Sequence, residues 1–137
     1  MNAPYPLDNG STRLSLAAVF RTELANSLLA CGRVLCSQHF LDYANTVISN
    51  RNSAPGLAEK FYKLGIQSLT ELLASFLKEA AQRGLIDHNE VERATDQLFW
   101  AMCGKLFLSG LFTGELASEH DLRSAAEQTV SAFLDRQ

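Results

Sequence analysis

Apolar residues recur every three or four positions along most of the chain, a spacing that places them on one face of an α-helix. The first such stripe follows Ser11 or Thr12, either of which can act as an N-cap, and it ends near Gly32. A second stripe begins around Ser37 and stops in the polar segment 49–53, whose residues favour turns. The pattern therefore predicts two amphipathic helices separated by a short break.

The same spacing continues through a long third helix and into a fourth. The third helix begins at Pro55, which suits the first turn of a helix, and Gly84 closes it in the position just after the helical residues. Gly65 is a candidate for a bend within it. The fourth helix follows a cap at Asp87 or Asn89. Strand-like alternation is absent from the sequence, so an all-α fold is predicted.

The fourth helix differs from the others because apolar residues cover most of its circumference. A helix of this kind must be buried on more than one side. A fifth helix starts near Glu119 after a short link, so it should pack antiparallel beside the fourth. The predicted fold is a five-helix antiparallel bundle, in which the fourth helix is either the buried centre of a monomer or shares a face with a second copy.

We favour the shared face, because four partner helices leave little to surround the fourth helix completely. The last two helices would then form a four-helix interface in a two-fold homodimer. The residues expected in this interface are Leu98, Met102, Leu106 and Leu111 in the fourth helix and Leu122, Val130 and Phe133 in the fifth.

Length, charge and cysteine content limit what the chain can bind. Its 137 residues fit one domain, expected to span 11–137 after a flexible lead-in at 1–10. The net charge is −3 and the 12 basic residues are scattered, so the basic patch of a nucleic-acid-binding protein is missing. The apolar runs are far shorter than the roughly 20 residues of a membrane crossing. Together with an odd number of cysteines, these features indicate a cytoplasmic protein without a disulfide framework.

The residues that usually carry catalysis or bind metals are not arranged for either task. His39, His88 and His120 lie far apart, and none is followed one helical turn later by a second histidine or a cysteine. Cys31 and Cys36 do not form a C-x-x-C motif, and glycine-rich nucleotide loops and nucleophile elbows are absent. We therefore predict no metal, cofactor or catalytic residue, although a nucleophile and a base could still meet in space.

Aromatic residues are concentrated on the predicted interior faces. They fit either a close-packed core or an apolar pocket between helices that a few polar groups complete. Composition does not separate these two interpretations. The residues concerned are Phe20, Phe40, Tyr43, Phe61, Phe76, Phe99, Trp100 and Phe107.

The segment 55–65, Pro-Gly-Leu-Ala-Glu-Lys-Phe-Tyr-Lys-Leu-Gly, resembles the P-x-L-A-x-x-F-Y-x-x-G segment of many TetR-family regulators. A long helix then leads to the Arg-Gly-Leu-Ile-Asp stretch at 83–87. The motifs Ala-x-x-Gln-Leu-Phe at 94–99 and Gly-Lys-Leu-Phe-Leu at 104–108 follow in the same order and spacing. Over residues 14–134 the chain resembles the C-terminal regulatory domain of that family, particularly its AefR-like branch.

The resemblance implies an effector-binding and dimerisation domain. Members of the family are dimeric helical repressors whose N-terminal helix-turn-helix unit reads operator DNA in the major groove. Their C-terminal domain binds a small, often hydrophobic effector and dimerises through its last two long helices, the pair that periodicity already selects here. The residues then expected to bind the effector are Phe20, Leu24, Phe40, Tyr43, Val47, Phe61, Phe99, Trp100 and Cys103.

Two departures from the family pattern affect these expectations. Nothing before Leu14 resembles the Y-x-H-F-x-x-K ending of the family's DNA-reading unit, so operator DNA is expected as a partner only through a domain absent from this chain. The branch often has a small residue where Trp100 stands and a polar or basic one where Cys103 stands, so Trp100 is expected to fill part of the pocket. The sequence thus predicts the effector-sensing domain of a TetR-type repressor, with a helical protein-interaction bundle or a small helical enzyme as alternatives.

Overall fold

The computed structural model describes residues 9–136, with side chains described from residue 15 onward, and the regular secondary structure of that range is entirely helical. A π-helical turn, Tyr62–Gln67, joins α3 to α4 into one long rod, and a short 3₁₀ turn, His88–Glu90, leads into α5. Five helical rods therefore fold together, and the all-α, five-helix prediction is confirmed. The helices are α1 (Asn9–Leu35), α2 (Gln38–Ser49), α3 (Pro55–Phe61), α4 (Ser68–Gln82), α5 (Val91–Thr113) and α6 (Glu119–Leu134).

Three of the helix starts are fixed by polar side chains at the expected positions. The Ser37 hydroxyl accepts a hydrogen bond from the Phe40 backbone N–H at 3.2 Å, and the Asp87 carboxylate accepts one from the amide two residues later at 2.9 Å. Ser118 and Asp121 form a reciprocal capping box at the start of α6. Because each cap satisfies N–H groups that have no partner within the helix, the sequence determines these starts locally.

The long rod ends at Gly84 as predicted, whereas the first helix departs from its predicted bounds. Gly84 has φ of 77°, and the following amide donates to the Ala80 carbonyl at 3.0 Å, which is the Schellman arrangement. Helix α1 begins at Asn9, within the predicted lead-in, and residues 1–8 of that lead-in lie outside the described residues. The helix also runs on to Leu35, so the prediction that it ends near Gly32 is wrong by about one turn.

Helix α5 lies at the centre of the bundle and packs against α1, α2, α4 and α6. Its side chains Leu98, Phe99, Met102 and Cys103 are almost completely buried. Burying one large apolar side chain contributes about 1.5–3 kcal/mol, so this helix supplies much of the stabilisation of the bundle. The central position of α5 explains why apolar residues cover most of its circumference.

Candidate functional site

A surface groove of about 300 Å³ lies between α2 and α3. Its volume is at the lower end of the range of small-molecule sites, roughly 300–1,000 Å³. Most of its lining is aromatic or aliphatic, with a few polar groups at the edge, which is the usual composition of such sites. The lining residues are His39, Phe40, Tyr43, Leu57, Lys60, Phe61, Leu64 and Gly65.

Three aromatic rings form the apolar wall of this groove. The Tyr43 and Phe61 rings stack with their centroids 5.2 Å apart and their planes within 10° of each other. Phe40 packs against Phe61 at 4.9 Å, and on its other side it meets Phe107 of α5 edge-on at 6.1 Å. Aromatic pairs of this kind contribute about 0.5–1.5 kcal/mol beyond the area they bury. The groove is therefore built of ordered rings and is connected through Phe40 to the central helix.

Helix α2 presents the groove residues because of the position at which it starts. With Ser37 as the cap, His39, Phe40 and Tyr43 lie on one side of the first turns. The adjoining side of α2 packs onto the core, so the groove side is left to meet α3. The core-facing residues are Leu41, Ala44 and Val47.

The π turn Tyr62–Gln67 shapes the other wall of the groove. It adds one residue to a helical turn, and the Ser68 hydroxyl donates to the Lys63 carbonyl at 3.1 Å across it. Gly65 lies within this turn and faces the Phe40 ring, where an added Cβ would come within 3.2 Å of two ring carbons. The bend predicted at Gly65 thus corresponds to the π turn, which brings the backbone close to the aromatic wall.

The residues predicted to bind an effector do not form one interior pocket. Phe40, Tyr43 and Phe61 meet in the groove. Phe20 stacks on Phe76 at 5.9 Å on the far side of the bundle. Trp100 is 43% exposed, so the expectation that it fills part of an internal pocket is wrong. The remaining predicted residues are packed into the core: Leu24, Val47, Phe99 and Cys103.

Leu57, Lys60 and Leu64 were not among the residues that the sequence predicted for the site. The structure leaves Leu57 39% and Leu64 75% exposed at the groove. All three lie within one helical turn of Phe61. For Leu57 and Leu64, which lie four residues before and three residues after Phe61, this helical spacing was a signal that could have identified them.

A second and larger cleft, of about 780 Å³, runs between α4 and α5. Polar and charged residues make up most of its lining, whereas aromatic and aliphatic residues make up most of the lining of the groove. Its polar lining consists of Gln67, Thr70, Glu71, Lys78, Gln82, His88, Glu92, Thr95 and Asp96.

The side chains predicted for a dimer interface point into the bundle of a single chain. Leu106 and Leu111 are partly buried within one chain, and the other five are almost fully buried there, so they have no surface to offer a second copy: Leu98, Met102, Leu122, Val130 and Phe133. The outward side of α5 instead carries Trp100, Leu108 and Phe112, the last of them 82% exposed. Pairing through the last two helices stays a prediction, and the residues expected to form the interface are corrected.

The three cysteines are all free and buried, and burial raises the pKa of each thiol. Within the described part of the chain, no three His, Cys, Asp or Glu side chains gather as a metal site would require. Of the helices described between residues 9 and 136, none combines the length and apolar character of a bilayer-crossing segment.

Comparison with known protein families identifies a related family. The family model described as "AefR-like transcriptional repressor, C-terminal domain" matches residues 22–136. No curated protein and no solved structure matches the chain. The matched range covers α2 to α6 and about half of α1, so it includes the groove and the outward face of α5.

Proposed function

Because the chain belongs to the family of AefR-like transcriptional repressor C-terminal domains, within the TetR-type regulators, we propose that it binds a small, largely apolar effector in the groove between α2 and α3. The family is one of regulatory domains and not of enzymes, in agreement with the sequence analysis. We also propose that two copies pair through the outward faces of α5 and α6, and that the protein acts in the cytoplasm.

The aromatic wall of the groove is the observation that carries this proposal. Phe40, Tyr43 and Phe61 come from two different helices, yet their rings meet around one space of about 300 Å³. Tyr43 remains 47% exposed, so its ring has apolar area that a ligand could cover. Covering such area is favourable by about 25 cal/mol per Å².

The packing of Phe40 offers a route from the effector to the dimer. Its ring forms part of the groove wall and also contacts Phe107 on α5, the helix whose outward face we assign to pairing. An effector that favours one placement of Phe40 would also favour one placement of α5. It could shift the equilibrium between two arrangements of the domain only by the difference in its affinity for them. In a complete regulator this shift would change the spacing of two DNA-reading units and release the operator.

DNA binding would require a separate domain in this scheme. The chain has a net charge of −3 and no cluster of basic residues along it. Affinity for DNA depends largely on cations that neutralise the phosphates. We therefore expect this chain alone to bind effector and to pair, and operator DNA to be contacted through a helix-turn-helix domain outside it.

Titration with the neutral fluorescent probe N-phenyl-1-naphthylamine tests the groove. The native chain should bind the probe, and Tyr43→Ala should weaken binding by about 3- to 10-fold, the loss expected for one aromatic contact. Tyr43 is half-exposed, so the variant should fold, and circular dichroism would verify this. Leu72→Ala removes an exposed apolar side chain from α4, away from both the groove and the proposed pairing face, and should leave binding unchanged. An equal effect of the two variants, or no binding by the native chain, would overturn the proposal.

A further inference from the structure

Of the Asp, Glu, Lys, Arg and His side chains, only basic ones line the groove among the described residues. They are Lys60 on α3 and His39 on α2, and no carboxylate lines the groove within the described residues. This contrasts with the whole chain, in which 15 acidic residues outnumber 12 basic ones. The groove is thus a locally basic site in an acidic protein.

The charge of Lys60 is not neutralised by a neighbour. Its helical neighbours three and four positions away, at 56, 57, 63 and 64, include no acid. The nearest carboxylate in sequence, Glu59, already pairs with Lys63 at 2.9 Å. On the facing helix, Asp42 accepts a hydrogen bond from Gln38 at 2.7 Å and does not line the groove. Lys60 forms no ion pair with any side chain that the structure describes.

From this juxtaposition we propose that the groove selects an amphipathic anion, a ligand with an apolar body and a single acidic group such as a carboxylate. The inference rests on the proposed function and names the chemical class of its effector. The body lies against Phe40, Tyr43 and Phe61, and the acidic group meets the ammonium of Lys60 at the edge. The apolar stem of a lysine can line the groove while its charged end stays in water, where it attracts an anion and repels a cation.

A matched series of ligands separates charge from apolar contact. Decanoate, 1-decanol and decylamine each contain ten carbon atoms, and at pH 7 their head groups are negative, neutral and positive, respectively. Each would be used to displace N-phenyl-1-naphthylamine from the full chain, below its aggregation concentration. Decanoate should displace the probe at the lowest concentration and decylamine at the highest. The advantage of decanoate over decanol should be about two- to fivefold, as for a solvent-exposed ion pair, and should shrink as salt is added.

Lys60→Met should remove the advantage of decanoate and leave the affinity for decanol unchanged. Lys78→Met is the matched control, because it changes the net charge equally on α4, in the other cleft. Lys63→Met would be a poor control, since it would release Glu59 from its ion pair beside the groove. If the native chain binds decanoate and decanol equally, or if Lys78→Met has the same effect as Lys60→Met, the anion inference is overturned. The proposal that the groove binds an apolar effector is not affected by either result. If neither ligand displaces the probe, the proposed function fails instead.

Discussion

Gly32 of α1 faces Met102 of α5 so closely that a Cβ atom on Gly32 would lie 2.8 Å from the terminal carbon of the methionine. The same Cβ would lie 3.2 Å from a methyl group of Leu122 on α6. Carbon atoms in contact are normally about 3.5–4.0 Å apart. The glycine therefore lets the backbone of α1 approach two helices at once, and it is required for packing and not for ending the helix.

We expect Gly32→Val to destabilise the protein by about 1–3 kcal/mol, the usual effect of overfilling a packed core. Gly32→Ala should cost less, because the flexible end of Met102 can move aside and alanine favours a helix by about 1 kcal/mol over glycine. Urea unfolding, followed by circular dichroism at one protein concentration, measures both effects.

Met102→Ala provides the control for this explanation. Alone it should destabilise the protein by about 2–5 kcal/mol, since it leaves a cavity beside Gly32. In that background Gly32→Val should cost clearly less than in the native chain, because the added methyl groups occupy the space that the methionine left. Strictly additive effects would show that the two residues do not share this space.

Glu119 links the start of α6 to the end of α1. Its carboxylate accepts a hydrogen bond from Arg33 Nε at 3.2 Å and pairs with Arg123 at 2.9 Å. The hydrogen bond to Arg33 is the main cause that lowers the pKa of Glu119 from its ordinary value of 4.5. A lowered pKa in the folded state means that the contribution to stability is full above pH 4.5 and is lost as the pH falls through the lower, folded value.

Glu119→Gln should therefore lower the free energy of unfolding at pH 7 by a small amount, because the pair is exposed. The difference between the variant and the native chain should shrink as the pH falls below 4.5 and as salt is added. Urea titrations at pH 7 and at several values below 4.5 would check this. A difference that is constant with pH would contradict the role of the ionised carboxylate.

The buried thiols should be unreactive while the protein is folded. Burial raises the pKa of Cys36 to about 11 and that of Cys103 further, so little thiolate, the reactive form, is present at pH 8. We expect a thiol reagent such as Ellman's reagent to modify none of the three cysteines rapidly in the native chain and all three in urea. Rapid reaction of one thiol at pH 8 without denaturant would show that a cysteine is accessible.

The sequence predicted the helices well because their signals are local. Each of these signals acts within one or two helical turns. They are the N-caps Ser37 and Asp87, the C-terminal glycine Gly84, and the spacing of three or four residues between apolar positions. Gly32 was misinterpreted because its role depends on Met102, 70 positions away in the chain. A glycine within a helical pattern can end the helix or allow another helix to pack closely against it. The local sequence does not distinguish these two roles.

The orientation of α5 and the location of the groove could be determined only from the tertiary structure. Apolar residues lie on nearly all sides of α5, so periodicity could not tell the buried Leu98 from the exposed Leu108. Tyr43 and Phe61, two of the aromatic residues predicted for the site, meet in the groove. Lys60 was missed, because its position at the groove depends on how α3 packs against α2.

The outward face of α5 yields the test of pairing. Leu108 is half-exposed in a single chain, so Leu108→Glu should change the folding of one copy little. In a dimer formed through α5 and α6, it would bury a charge without a partner and raise the dissociation constant about 30-fold or more. Leu72→Glu, at an exposed position on α4, introduces the same charge and should leave pairing intact. Sedimentation equilibrium over a range of concentrations measures all three chains. A native chain that stays monomeric throughout would overturn the homodimer and would favour the alternative, a helical bundle whose exposed Leu108 and Phe112 contact a different protein.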